Sequence, residues 1–182
     1  MENAAQKILE NKPQIPDRGI WIASLADYNA GRLLGAWVDL DAMTDSDDLD
    51  AEVEKMLERS KEENAEEYAV HDYNGIPNEI VTKLGEWPDW DELLEIVEAL
   101  NEHGDAVVEA AMGCRIPIAD ISDAYRGTFN TQAEFGMDYA ENNMEIPDAI
   151  RQFIDYAAIA HDATCGEYME CETDDGFVYF VV

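Results

Sequence analysis

Two rhythms of apolar residues alternate along this chain. IWIASL (Ile20–Leu25) reads as a strand, DYNAG (Asp27–Gly31) as turn chemistry, and RLLGAWVDL (Arg32–Leu40) as a second strand, so the pair resembles a hairpin. Asp45–Ser60 opens on helix-start acids and carries Leu49, Val53, Met56 and Leu57 at helical spacing. In EEYAVHDYN (Glu66–Asn74), Tyr68, Val70 and Asp72 alternate with Ala69, His71 and Tyr73; the first half is expected to be a third strand, and Gly75–Pro77 closes this α/β part.

Residues 78 to 122 have helical character. Over Asp89–Glu102 a rotation of ~100° per residue gathers Trp90, Leu93, Leu94, Val97 and Leu100 on one side. The same rotation sets Asp91, Glu95, Glu98 and Glu102 in a row opposite. Gly104 interrupts, Ala106–Met112 makes a second short helix, and Pro117 suits the first turn of Ile118–Tyr125. The last part is mixed. Arg126–Phe129 is a short strand, Asn130 or Thr131 caps a helix through Glu141, and Pro147 opens one carrying Ile150, Phe153 and Ile154 and running on through Tyr156–Ala160. Gly166–Glu172 and Gly176–Val182 finish as two strands joined by Thr173–Asp175. The N-terminal residues 1–18 form a polar extension in which Pro13 and Pro16 prevent a long helix, leaving room for a short one at Ala4–Glu10. The expected tryptophan roles are core for Trp21 and Trp37, and a hydrophobic staple at a helix start for Trp87 and Trp90.

Charge changes this picture of an ordinary α+β chain. Among 182 residues, 42 Asp and Glu stand against 11 Lys and Arg, a formal net charge of −31. Self-repulsion on that scale destabilises a compact state. It argues against direct binding to nucleic acid or anionic lipid and favours a basic partner, many cations or high salt. The 47% hydrophobic fraction supplies a core. No apolar run of membrane-spanning length is present, and the N-terminus lacks the basic start and apolar run of a signal peptide. Three cysteines, Cys114, Cys165 and Cys171, fit a reduced cytoplasmic protein better than a disulfide framework.

The chemistry-bearing motifs fail when their frames are checked. Asp39–Asp50 is rich in oxygen ligands, but neither an Asp39 nor an Asp45 frame places the acid and glycine that a calcium loop needs at its fifth and sixth positions. Cys165 and Cys171, near His161, lack zinc-finger spacing. There is no nucleophile elbow and no phosphate loop, and His71 has the default of a structural histidine. The expectation is a protein that is not an enzyme and holds no cofactor or metal.

The charge is unevenly placed. From Glu86 to Glu109 the chain holds Glu86, Asp89, Asp91, Glu92, Glu95, Glu98, Glu102, Asp105 and Glu109 with no Lys or Arg among them; the nearest are Lys83 and Arg115. Like charges at i,i+3 and i,i+4 each cost a helix a few tenths of a kcal/mol. A generic solvated face explains charge but not one sign held from Leu84 to Cys114. B-form DNA carries one charge per ~1.7 Å of axis, so −31 equals the charge of ~50 Å, or roughly 15 bp. A compact chain of this length has a radius of gyration of only ~16 Å, so DNA-like density calls for an elongated chain, a dimer, or both. These nine acids are the candidate partner-binding surface, and a basic DNA-binding cleft is the natural partner class. Two other readings remain: acidity for solvation at high salt, and an acidic module for other basic proteins. The first predicts evenly spread acids, whereas Lys and Arg number seven before residue 66 and four after.

Ile20–Leu40, Glu66–Pro77, AYRGTF (Ala124–Phe129), IPDAIRQFIDYAAIAHD (Ile146–Asp162) and the terminal GFVYFVV together resemble the ArdA antirestriction family, in family order from about residue 20 to 182. The resemblance implies an elongated monomer of three small subdomains: α/β over 19–77, acidic and all-helical over 78–122, and α+β over 123–182. It implies a homodimer and a curved acidic surface that imitates bent B-form DNA. It also implies inhibition of type I restriction–modification enzymes, through the DNA groove of their specificity and methyltransferase core. Such proteins travel on mobile genetic elements and act in the recipient cytoplasm. The family has no catalytic residues to carry over. For the dimer, the short strand with Tyr125, Gly127 and Phe129 is expected to pair with its copy.

Overall fold

The computed structural model describes residues 14–182; the expected helix Ala4–Glu10 and most of the extension 1–18 lie outside them. The chain is mixed helix and sheet and divides into two compact units, residues 1–98 and 99–182.

The first unit is built on an antiparallel sheet of β1 (Gly19–Ser24), β2 (Gly35–Asp39) and β3 (Tyr68–Asn74) in the order β2-β1-β3. Ile20 faces Val38 across β1 and β2, and Ile22 faces Val70 on β3. These apolar side chains are buried beneath α2 (Ser46–Leu57), which packs on β1 and β2 with Leu49, Val53 and Met56 inward. Trp21 and Trp37 are not core. The pleat turns them to the other face, where they pair directly across the strands as a half-buried edge-to-face contact at 5.8 Å. α2 starts at the Asp45 cap, whose side chain accepts the Asp48 amide at 3.1 Å, while Asp48 reaches back to the Thr44 amide at 2.9 Å.

DYNAG is not a simple turn. Leu25–Asn29 forms a short helix, α1, capped by Ser24. Asp27 in its first turn is 2% exposed. One carboxylate oxygen accepts from Arg32 at 3.0 and 2.8 Å; the other accepts from Ser24 at 2.9 Å and from Ser60. This cluster withdraws Arg32 from the expected second strand, so β2 begins only at Gly35 and Leu33 is left exposed. The Ser60 hydrogen bond foremost, then those from Arg32 and Ser24 with the Arg32 charge, outweigh burial and hold the Asp27 carboxyl below its usual range. A lowered native pKa means stability present above about pH 4 and lost as pH falls through the native value. Asp27→Asn should therefore be less stable than the parent at pH 7. The gap should close in acid, as read by urea midpoints across pH 2–7.

The residues just before β1 are strapped to the end of β3. Asn74 donates to the carbonyls of Pro16 at 2.8 Å and Asp17 at 3.2 Å, and Arg18 donates to Gly75 O at 2.6 Å. Gly75 has φ 69°, and a Cβ there would lie 1.9 Å from Asp17 O, so only glycine fits. β3 extends over the whole of Tyr68–Asn74, past its expected first half. Gly85–Trp87, after α3 (Asn78–Leu84), lies along it: Val70 N–H donates to Glu86 O at 2.9 Å and Trp87 Nε1 to Tyr68 O at 3.0 Å.

α4 (Trp90–His103) buries Leu93, Ile96, Val97, Ala99 and Leu100; Asp89 caps it by accepting the Glu92 amide at 3.0 Å. Trp87 and Trp90 do not staple its start to its fourth residue. Trp90 stacks on Tyr68 at 5.9 Å and donates from Nε1 to Asp50 at 3.0 Å, so both indoles are drawn to the sheet and α2.

The second unit carries the sheet of β4 (Tyr125–Phe129), β5 (Tyr168–Thr173) and β6 (Gly176–Val181), antiparallel, in the order β4-β6-β5. The last strand is thus central, and Val178, Tyr179 and Phe180 are all buried. α5 (Asp105–Gly113) packs on β5 and β6. Tyr179 stacks on Phe135 of α7 (Gln132–Asn143) at 3.7 Å, in a cluster with Ala160 and Ala163 of α9 (Tyr156–Thr164). Between α5 and β4, a 3-10 turn at Ile118–Asp120 precedes α6 (Ile121–Ala124) in place of one helix to Tyr125. The expected helix from Pro147 is interrupted. α8 (Asp148–Arg151) stops, and α9 restarts on the Asp155 cap, which accepts the Ala158 amide at 3.1 Å. Ile150 and Phe153 are exposed.

α5 ends in a Schellman motif: the Ile116 amide donates to Ala111 O at 2.9 Å and the Arg115 amide to Met112 O at 3.1 Å. Arg115 holds the left-handed position usually given to glycine, at φ 63°. Arg115→Gly should stabilise the second unit by roughly 0.5–1 kcal/mol, since the Cβ penalty exceeds glycine's entropy loss. A higher urea midpoint with an unchanged slope would register it.

Candidate functional site

The carboxylate row lies on solvent because the opposite face of α4 is the buried one. Asp91, Glu95, Glu98 and Glu102 are all exposed. At ~100° per residue they fall within ~60° of arc, and at ~1.5 Å per residue they span ~16 Å of helix. One DNA strand carries ~5 phosphates over that length, against four carboxylates here.

The other five acids are placed differently. Glu86 is exposed on the segment lying along β3, and Asp89 is the exposed cap of α4. Glu92 is half-buried and is not without a cation: Lys83 Nζ lies 2.9 Å from it. Asp105 opens α5 and is exposed, whereas Glu109 is half-buried on the same helix. Glu102 lies beside the half-buried His103, with 3.7 Å between carboxylate and Nε2; that nitrogen is 3.0 Å from the Ser122 hydroxyl.

The structure adds a row that sequence reasoning missed. Asp47, Asp50 and Glu54 on α2 and Glu58 at its C-cap are exposed, opposite Leu49, Val53 and Met56. Trp90 ties this row to the start of α4 through its bond to Asp50. The wheel that finds the α4 row would have found this one. Lys55 within the row, and Arg59 and Lys61 just after it, hid it in the sequence. In space Lys55 turns aside to Glu52 at 3.0 Å, and Arg59 donates to Gly35 O at 2.9 Å.

Three arginines elsewhere are also engaged locally. Arg32 holds Asp27 and Glu62, Arg126 holds Asp138, and Arg151 holds Glu141 at 2.9 Å and Asp148 at 3.1 Å. Each pairing cancels an acid that belongs to neither row.

β4, with Tyr125, Gly127 and Phe129, is an edge strand: β6 pairs with one side, and a bulge falls between Tyr125 and Gly127. Its aromatic side chains are committed inward. Tyr125 packs on His103 and Phe180, and Phe129 on Phe135 and Tyr179. What this edge offers a partner is backbone.

Among the described residues no group of three or more His, Cys, Asp or Glu is arranged to hold a metal ion, and no helix is long and apolar enough to cross a membrane. The family model for antirestriction protein (ArdA) matches residues 20–179. No curated protein matches the chain.

Proposed function

The chain belongs to the ArdA antirestriction protein family, and from that premise we propose that it is a non-enzymatic, cytoplasmic DNA mimic. It occupies the DNA-binding groove of type I restriction–modification enzymes and so blocks their access to DNA. The observation that carries this reading is the α4 row: four exposed carboxylates on the face opposite a buried one, with no cation among them. A row in which neighbours repel costs the free helix stability, and a basic groove repays that cost on binding. The α2 row extends the same surface within the first unit. The division into 19–77, 78–122 and 123–182 belongs to this reading, as does a homodimer in which the β4 edge pairs with its copy through backbone hydrogen bonds. Light scattering at micromolar concentration should return twice the chain mass; a monomer would remove the dimer.

The test is a competition titration. A type I methyltransferase core is bound to fluorescent target DNA, and the protein is added at 50 and 200 mM salt. Displacement near stoichiometric ratios is expected, with affinity falling at least about tenfold at the higher salt. No displacement by the folded protein would overturn the mimic. It would leave an acidic module for other basic proteins, or acidity for solvation, the latter marked by unfolding at low salt.

A further inference from the structure

Cys114 and Cys171 are 57 residues apart in sequence, yet their sulfurs lie 2.8 Å apart. Cys114 caps the C-terminus of α5, and Cys171 sits on β5 at the register position of Val178. The Cys171 thiol also reaches the Ala110 carbonyl of α5 at 3.5 Å. Both are free thiols on half-buried residues. A disulfide has a sulfur–sulfur bond of ~2.05 Å, so closure needs less than ~1 Å of approach between elements already packed together.

We propose that Cys114 and Cys171 form a reversible thiol–disulfide pair that clamps α5 onto β5 when the protein meets a peroxide. The Cys171 sulfur attacks one peroxide oxygen and the O–O bond breaks. Its thiol proton leaves with the departing oxygen as water, and Cys171 becomes a sulfenic acid. The Cys114 sulfur then attacks that sulfur, the S–O bond breaks, and the departing hydroxide takes the Cys114 proton as a second water. Two thiols and one hydrogen peroxide give one disulfide and two waters, the two electrons passing from sulfur to peroxide. A dithiol reductant reverses the change and is itself oxidised. The products are the same if Cys114 attacks first; burial, then the neighbouring Cys171, pushes the Cys114 thiol up to about 12. Since α5 carries Asp105 and Glu109, the clamp fixes those acids relative to the sheet of the second unit.

The experiment treats the reduced full-length chain with a few equivalents of hydrogen peroxide. Thiols titrated in denaturant should fall from three to one per chain, leaving the exposed Cys165. Peptide mapping should recover Cys114 joined to Cys171. The thermal midpoint should rise by at least about 5 °C and return on adding dithiothreitol. Cys171→Ser and Cys114→Ala, treated alike, should show no such rise. Three thiols remaining, over-oxidised cysteines without the 114–171 link, disulfides through Cys165 only, or a link that leaves the midpoint unmoved would each overturn the proposal.

Discussion

Replacing Asp91, Glu95, Glu98 and Glu102 together by Asn and Gln is expected to weaken displacement of DNA from a type I methyltransferase core by about 10–100-fold at 0.1 M salt. Exposed ion pairs contribute ~0.2–1 kcal/mol each, so four give ~1–4 kcal/mol, with the middle of that range near ~2 kcal/mol, and any one is nearly redundant. Folding should move the other way. Three like-charge neighbours, 91–95, 95–98 and 98–102, are relieved at a few tenths of a kcal/mol each, and only Asp91, in the first turn, loses a favourable dipole contact. A variant that binds worse and melts slightly higher separates recognition from damage. Unchanged affinity in the folded variant would remove the α4 row from the binding surface. A companion, Asp47→Asn with Glu54→Gln and Glu58→Gln, asks the same of the α2 row; Asp50 stays because Trp90 donates to it.

Gly136→Ala is expected to destabilise the second unit by about 3 kcal/mol or more. Its backbone lies so close to α9 that a Cβ would stand 1.8 Å from Tyr156 O and 3.1 Å from Ala160 N. Both are backbone atoms, so no side chain can rotate aside, and α7 and α9 must separate. Separation loosens the Phe135–Tyr179 stack and the small faces of Ala160 and Ala163. Alanine's helix propensity returns only ~1 kcal/mol, so the clash wins. Urea unfolding followed by circular dichroism would show it; a loss under about 1 kcal/mol would mean that the helix pair adjusts.

What was legible in the chain was local. The strand of IWIASL, the α4 wheel and the Asp45 and Thr131 caps each rest on residues within a few positions of one another. What stayed hidden was settled by distant partners. Asp27–Gly31 has every mark of a turn, and the helix forms there because Asp27 is held by Arg32 and by Ser60, 33 residues on. The residues after Pro147 read as one helix through Ala160, but the Asp155 cap starts a new helix and breaks it in two. GFVYFVV reads as a strand, yet nothing in it says that β6 lies between β4 and β5. The candidate site divides in the same way. The α4 row has no cations to obscure it, whereas the α2 row emerges only once Lys55 and Arg59 are seen turned aside.

The indoles of this protein are all on one side of its division: Trp21, Trp37, Trp87 and Trp90 precede Glu98, and residues 99–182 contain none. Fluorescence excited at the red edge of aromatic absorption therefore comes from the first unit alone. Trp21 and Trp37, edge to face at 5.8 Å, are close enough to couple as an exciton pair that reports the packing of β1 on β2. Trp87 and Trp90 flank the start of the α4 row, Trp87 exposed to solvent and Trp90 bonded to the α2 row. The protein thus carries its own optical label where the proposed partner would land, and a partner that shifts or quenches the emission of Trp87 and Trp90 while leaving the Trp21–Trp37 couplet intact has bound over the carboxylates without disturbing the sheet.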